Sequence, residues 1–113
     1  MIDGRPIAAC SVQVEAIAGR KVETIEAIEN SETGRLLLDA VLDIQAGQCG
    51  YCLPGMLMEA RVILRRHPDY SRDEIAAALD GHICRCGSHN RIIDAIVQAS
   101  ETLNAGTTKG EPA

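Results

Sequence analysis

Four of the five cysteines in this chain of 113 residues stand in two tight pairs, Cys49-Gly50-Tyr51-Cys52 and Cys84-Arg85-Cys86. A stretch of helical pattern separates the pairs. Thiolates at such short spacing are typical ligands of zinc and of iron–sulfur clusters. The two pairs therefore predict that the chain folds around one metal centre, with four candidate ligands: Cys49, Cys52, Cys84 and Cys86.

The chemistry of that centre has alternatives. A structural zinc site would accept the same four thiolates, although a C-x-C pair is less usual in zinc ribbons. A thiol–disulfide enzyme also places C-x-x-C before a helix, where the cysteine pKa falls. Such an enzyme needs a βαβ context, and it would leave Cys84 and Cys86 without a role. The pattern favours a buried redox cluster, and structural zinc remains open.

Four helices are predicted between residues 33 and 103, where apolar residues recur with helical spacing. Their markers are a proline suited to a first helical turn, a capping box and a glycine suited to a left-handed C-cap. A helix follows each cysteine pair, so positive helix ends would face an anionic centre. The predicted boundaries are Leu36 to Gly47, Pro54 to Arg66, Ser71 to Leu79 with Gly81 as the C-cap, and a start near Ser88 to Asn90.

The two ends of the chain differ from this helical middle. Apolar residues between positions 2 and 28 alternate as in strands, and Gly19-Arg20-Lys21 reads as a turn between two short strands. After Leu103 the composition shifts to Gly, Thr and Pro, so residues 104–113 are predicted to be a disordered tail. The predicted fold class is mainly α: a four-helix domain over residues 33–103, preceded by a short β segment within residues 1–30.

Composition argues against several classes of partner. The net charge is −5 and no segment carries a basic stripe, which argues against a nucleic-acid binder. No apolar run has the length of a membrane span, and the first ten residues lack the apolar stretch of a signal peptide. We therefore expect a cytoplasmic protein without membrane insertion, whose thiols are reduced or held by metal. With no Phe or Trp, the core must be aliphatic.

The residues around the cysteines resemble a known family. Segments 48–55 and 83–87 are similar to the two signatures of the small iron–sulfur subunit of molybdenum hydroxylases, the xanthine dehydrogenase and aldehyde oxidoreductase family. The resemblance covers about residues 2–102. Segment 84–92 is most similar to two-subunit bacterial members, such as isoquinoline oxidoreductase and nicotinate dehydrogenase.

This resemblance implies a fold, a cofactor and a partner. The fold is a four-helix bundle that holds a [2Fe–2S] cluster on the four paired cysteines. Gln48 matches a glutamine that hydrogen-bonds the molybdopterin of a large partner subunit, and Cys86 matches the ligand lying closest to that pterin. Electrons would pass from the molybdenum centre through the pterin to the cluster. The chain would thus be the non-catalytic, electron-transfer subunit of an oxidoreductase, and the catalytic residues would lie on the partner.

The chain also departs from the family pattern. Members normally begin with a plant-type ferredoxin domain, whose C-x₄-C-x₂-C run and a later cysteine hold a second cluster. Residues 1–30 resemble only the C-terminal remnant of that domain, and Cys10 lies where its fourth ligand would be. One cluster is therefore expected, with Cys10 as a free thiol. The chain would be a fragment, or another polypeptide would supply the rest; a truncated, non-functional fragment is the second alternative beside structural zinc.

Overall fold

Four α-helices form the body of the protein. The computed structural model describes residues 1–106, and no helix in that range is both long and apolar enough to span a bilayer. Helix α1 packs most extensively against α4, and α2 and α3 complete the group. The predicted mainly α fold class is confirmed. The bounds are α1 Glu32–Ile44, α2 Leu53–Arg66, α3 Arg72–Ala78 and α4 His89–Gly106.

The start of three helices follows from local sequence. The Ser31 hydroxyl accepts a hydrogen bond from the Gly34 N–H and so caps α1. Pro54 lies in the first turn of α2, where no intrahelical donor is needed. The predicted capping box of α3 is present: Ser71 accepts from the Glu74 backbone N–H, and the Glu74 carboxylate accepts from the Ser71 N–H.

The end of α3 differs from the prediction. The left-handed C-cap predicted at Gly81 is wrong, because the φ of this residue does not lie in the left-handed region. The C-cap is Leu79, with φ −94° and ψ 5°. Hydrogen bonds from Leu79 to Ala76 and from Asp80 to Ala77 tighten the last turn. These short-range bonds satisfy the terminal carbonyls, so a left-handed glycine is not required.

The predicted N-terminal strands are also wrong. Between residues 1 and 30 the structure has only isolated β-bridges, which join Ile2 to Arg5 and to Val22. The rest forms three short 3₁₀ helices. A single pair of short strands is marginal without further strands or a covering helix, and the tight 3₁₀ bonds satisfy the backbone locally. The predicted turn is present, with Gly19 at φ +76°. The 3₁₀ helices span Ala9–Ser11, Val14–Ile17 and Ile25–Asn30.

An ion pair between a buried arginine and a half-buried glutamate holds this N-terminal segment against α2. Arg61, on α2, is only 6% exposed and its Nη1 lies 3.3 Å from the Glu23 carboxylate. Further along the same helix, Arg66 donates to the Gly4 carbonyl at 3.4 Å. Removing one partner of a buried ion pair leaves an uncompensated charge, so the pair fixes the segment in place.

The core is aliphatic, as the composition predicts. Helices α1, α2 and α4 contribute its centre, and α3 adds Ile75. Helix α4 extends to Gly106, so the tail predicted from residue 104 begins inside this helix. The remainder of that predicted tail, residues 107–113, lies outside the described residues. The largest of the fully buried side chains are Leu37, Met56, Leu64, Ile75, Leu79, Ile92 and Ile96.

Gly34 is required by a close approach of backbone. A Cβ at this position would lie 1.9 Å from the Ile28 carbonyl oxygen, which belongs to the 3₁₀ helix just before α1. The nearest obstructing atoms are main chain, so no movement of a flexible side chain could relieve the clash. The contact between α1 and the segment before it therefore depends on the missing side chain.

We predict that Gly34→Ala lowers the free energy of unfolding by about 2–3 kcal/mol, because overpacking forces backbone to shift. The measurement is chemical denaturation followed by circular dichroism. Gly81→Ala is the matched control, because Gly81 has an ordinary φ and no described atom lies within 4 Å of the place its new methyl group would take. Equal denaturation midpoints for the two variants would contradict the close approach.

Candidate metal centre

The structure brings the two cysteine pairs to neighbouring loops. The first pair lies between α1 and α2, and the second lies between α3 and α4. Gln48 joins the loops, since its Nε2 donates to the Cys86 carbonyl at 3.4 Å. Cys52 and Cys84 interact directly, and Cys49 adds its charge to the environment of Cys52. The structure therefore places the two cysteine loops side by side, with Cys52 next to Cys84.

Two glycines shape these loops. Gly50 has φ +83° and Gly87 has φ +70°, values in the left-handed region that favours glycine. No described atom lies within 4 Å of a Cβ placed on either residue. The glycines are thus required by backbone conformation, and each one turns the chain directly beside a cysteine.

Cys84 is the thiol best prepared to ionise. The backbone N–H of Ser88 donates to its Sγ at 3.3 Å. This hydrogen bond, with help from the Cys52 side chain, lowers the pKa of the Cys84 thiol to about 6. A stabilised thiolate is the form that binds metal.

Cys52 shows the opposite behaviour. Burial, and next the adjacent Cys84, raise the pKa of the Cys52 thiol to about 11. It is the N-cap residue of α2, so it lies at the positive end of that helix. A metal centre between the two loops would bind both residues as thiolates, because metal binding displaces the thiol proton.

Two histidines stabilise the loop that carries the second cysteine pair. His82 Nε2 lies 3.4 Å from the Glu59 carboxylate on α2, and His89 Nε2 lies 2.8 Å from the His82 carbonyl. Sequence reasoning missed this role. The only signal was that a histidine stands on each side of the second cysteine pair. These contacts fix the loop that carries Cys84 and Cys86 against α2 and α4.

The donor set can be compared with the groups it could hold. Within residues 1–106, no three side chains of His, Cys, Asp or Glu converge closely enough to hold a single metal ion. The four thiols lie instead as two pairs on two loops. Four thiols with backbone N–H groups beside them match the ligand chemistry of a [2Fe–2S] cluster, which distributes its cysteines over two irons. Cys10 is exposed, with its sulfur 3.8 Å from the Ser11 hydroxyl, and is not part of this set.

Two large apolar side chains stand beside the cysteines. Tyr51 lies between the cysteines of the first pair and is 94% exposed. Ile83 precedes the second pair and is 86% exposed. Each cysteine pair thus has an exposed apolar side chain beside it.

Comparison with known proteins agrees with this site. Residues 24–97 match the family described as "[2Fe-2S] binding domain", and the chain belongs to that family. The matched range includes both cysteine loops and most of the four helices.

The relatives include small subunits of bacterial oxidoreductases. The A subunit of nicotinate dehydrogenase from Pseudomonas putida is 37% identical over 102 residues, which are 90% of this chain and 65% of that protein. The alpha subunit of isoquinoline 1-oxidoreductase from Brevundimonas diminuta is 35% identical over 100 residues, 88% of this chain and 65% of that protein. The chain thus spans about two thirds of the length of these relatives.

A solved structure has the same fold. Quinoline 2-oxidoreductase from Pseudomonas putida 86 superposes with a TM-score of 0.82 at 37% identity, over 94% of this chain and 67% of that chain. The resemblance to the small iron–sulfur subunits of molybdenum hydroxylases is therefore confirmed. So is the expectation of a [2Fe–2S]-binding domain.

The two unlike thiols allow a direct test of this loop geometry. In reduced, cluster-free protein, we predict that alkylation of Cys84 by iodoacetamide is half-maximal near pH 6, because its thiolate is stabilised. At pH 7 that pKa gives about a tenfold excess of thiolate over thiol. Cys52 should react only in alkaline solution, because its pKa lies near 11.

Mass spectrometry of the labelled peptides measures both profiles, and exposed Cys10 serves as an internal standard for reagent access. Circular dichroism confirms that the helices persist under the labelling conditions. Identical pH profiles for Cys52 and Cys84 would show that the two thiols do not occupy these environments.

Proposed function

We propose that this chain is the electron-transfer [2Fe–2S] subunit of a molybdenum-dependent hydroxylase. The observation that carries the proposal is the meeting of two cysteine loops at the N-terminal ends of α2 and α4, in a chain of the [2Fe–2S] binding family. The names of its relatives, a nicotinate dehydrogenase and an isoquinoline 1-oxidoreductase, support the class of reaction.

The proposed ligands are the four paired cysteines. When bound, a [2Fe–2S] cluster would accept and release one electron. Four thiolates give such a cluster a net negative charge, and the N-terminal ends of α2 and α4, which carry partial positive charge, lie beside the two cysteine loops. The Ser88 N–H already donates to the Cys84 sulfur. The chain's contribution is to hold the cluster and stabilise its charge; substrate chemistry would take place on another subunit. The proposed ligands are Cys49, Cys52, Cys84 and Cys86.

The proposed partner is a large, molybdopterin-binding subunit. Tyr51 and Ile83 would provide apolar anchors around the cluster, because each projects into solvent beside a ligand. Gln48 and Cys86, which the structure joins by a hydrogen bond, would face the pterin of that partner. Electrons would then leave the molybdenum centre through this contact. We also propose that the assembly is cytoplasmic.

We predict that Cys52→Ser and Cys84→Ser each abolish or strongly reduce cluster binding, because each removes one of four thiolate ligands. The measurement is iron and acid-labile sulfide in anaerobically purified protein, with its visible absorption. Cys10→Ser is the control and should keep the full cluster. Two irons and two sulfides in the wild type would support the proposal, whereas one zinc and no colour would establish the structural zinc alternative. Unchanged iron in both ligand variants would contradict the ligand assignment.

The partner proposal has a separate test. We predict that Tyr51→Ser and Ile83→Ser keep the cluster but weaken assembly with the large subunit by about tenfold each, equal to about 1.4 kcal/mol. Co-purification and binding titration with the large subunit measure the effect. Val14→Ser is the matched control, because Val14 is also highly exposed (83%) but lies in the N-terminal segment. If only Val14→Ser lost affinity for the large subunit, the contact surface would lie on the N-terminal segment and not beside the cysteines.

A further inference from the structure

Three serines immediately precede α-helices in this fold. The Ser31 hydroxyl accepts from the Gly34 N–H at 3.1 Å, and the Ser71 hydroxyl accepts from the Glu74 N–H at 3.3 Å. Both serve as ordinary N-caps, each satisfying one of the free donors of its helix. Ser88 stands in the same position before α4.

Ser88 does not use its hydroxyl in this way. Its backbone is engaged as a cap requires, since the Ser88 carbonyl accepts from the Ile92 N–H at 3.0 Å. Its Oγ is buried and has no partner at hydrogen-bond geometry among residues 1–106, although it lies close enough to Cys84 to contribute to the lowered pKa of that thiol. The whole residue is only 4% exposed. The hydroxyl is therefore withdrawn both from water and from the helix that it precedes.

Such an arrangement costs stability unless something else binds there. A buried hydroxyl without a partner is destabilising, because the group has lost its hydrogen bonds to water. A serine that does not cap its helix also forgoes the stabilisation that an N-cap gives. The same residue holds the Cys84 sulfur through its backbone N–H at 3.3 Å. The unused donor thus stands beside a sulfur that the proposed function assigns to the cluster.

We propose that the Ser88 hydroxyl donates a hydrogen bond to a sulfur of the bound cluster, either the Cys84 thiolate or an inorganic sulfide, and thereby raises the reduction potential of the cluster. The inference rests on the proposed function, because it requires a cluster on Cys84. Reduction adds one negative charge to the cluster, and a donor to sulfur stabilises the more negative state. Ser88 is a positioning residue in this role: it tunes the acceptor and transfers nothing itself.

The test uses the cluster-bound protein and three variants. Ser88→Ala removes the hydroxyl, Ser88→Thr keeps it, and Ser31→Ala removes the hydroxyl of an ordinary N-cap. Iron content is measured first, and then the reduction potential by a redox titration followed by EPR of the reduced cluster.

We expect Ser88→Ala to retain iron and to raise the ratio of oxidised to reduced cluster about three- to tenfold at a fixed ambient potential. A tenfold change corresponds to about 59 mV for a one-electron couple. Ser88→Thr should keep the wild-type potential. Ser31→Ala should lower the denaturation midpoint without moving the potential, because its hydroxyl bonds groups only around the start of α1.

The outcomes separate this inference from the proposed function. A wild-type protein that binds no [2Fe–2S] cluster would overturn the proposed function. A cluster with the same potential in wild type and Ser88→Ala would overturn only the role of the hydroxyl. If Ser88→Ala loses iron, Ser88→Gly provides the comparison, because glycine is tolerated at an N-cap and also lacks the hydroxyl. Loss of iron from both, with iron kept in Ser88→Thr, would show that the hydroxyl is needed for retention and would overturn its role in the potential.

Discussion

The packing of α1 against α4 determines where both cysteine loops can lie. The first loop leaves the end of α1, and the second loop leads into the start of α4. Buried aliphatic side chains such as Leu37 and Ile96 join these helices, and Gln98 on α4 donates to Asp43 on α1 at 3.1 Å. Because the core contains no Phe or Trp, many small contacts carry this packing. A change in the packing of α1 against α4 would therefore alter the relative position of the two cysteine loops as well as the stability of the fold.

Local signals in the sequence were sufficient for most of the helical structure. The capping box at Ser71 and the predicted end of α2 at Arg66 depend on neighbouring residues alone, and both agree with the structure. The same reasoning failed for the N-terminal segment, where strands were predicted and 3₁₀ helices are found. Alternating apolar residues form strands only when another strand is available to pair with them. Gly81 illustrates the same limit, since tight bonds in the last turn of α3 remove the need for a left-handed residue.

The candidate site, like the fold, was predictable from the sequence only in part. Cysteine spacing alone predicted the candidate ligands, because short spacing along the chain keeps the two cysteines of each pair close together. The electrostatics depend on contacts that sequence does not reveal. The opposite pKa shifts of Cys52 and Cys84 arise from burial at one thiol and a backbone donor at the other. The brace from His89 to the His82 carbonyl joins residues whose approach is set by the folded loop. Spacing identifies which residues can act together, and the fold decides how they differ.

The ion pair between Arg61 and Glu23 has a mechanical consequence. Separating the two would leave an almost fully buried guanidinium without its counter-charge, which is costly in a low-dielectric interior. The ion pair therefore couples the N-terminal segment to α2. Since α2 begins directly after Cys52, a displacement of this segment would be transmitted along α2 to the first cysteine loop. The short N-terminal segment is thus mechanically coupled to that loop, although none of its residues lies among the proposed ligands.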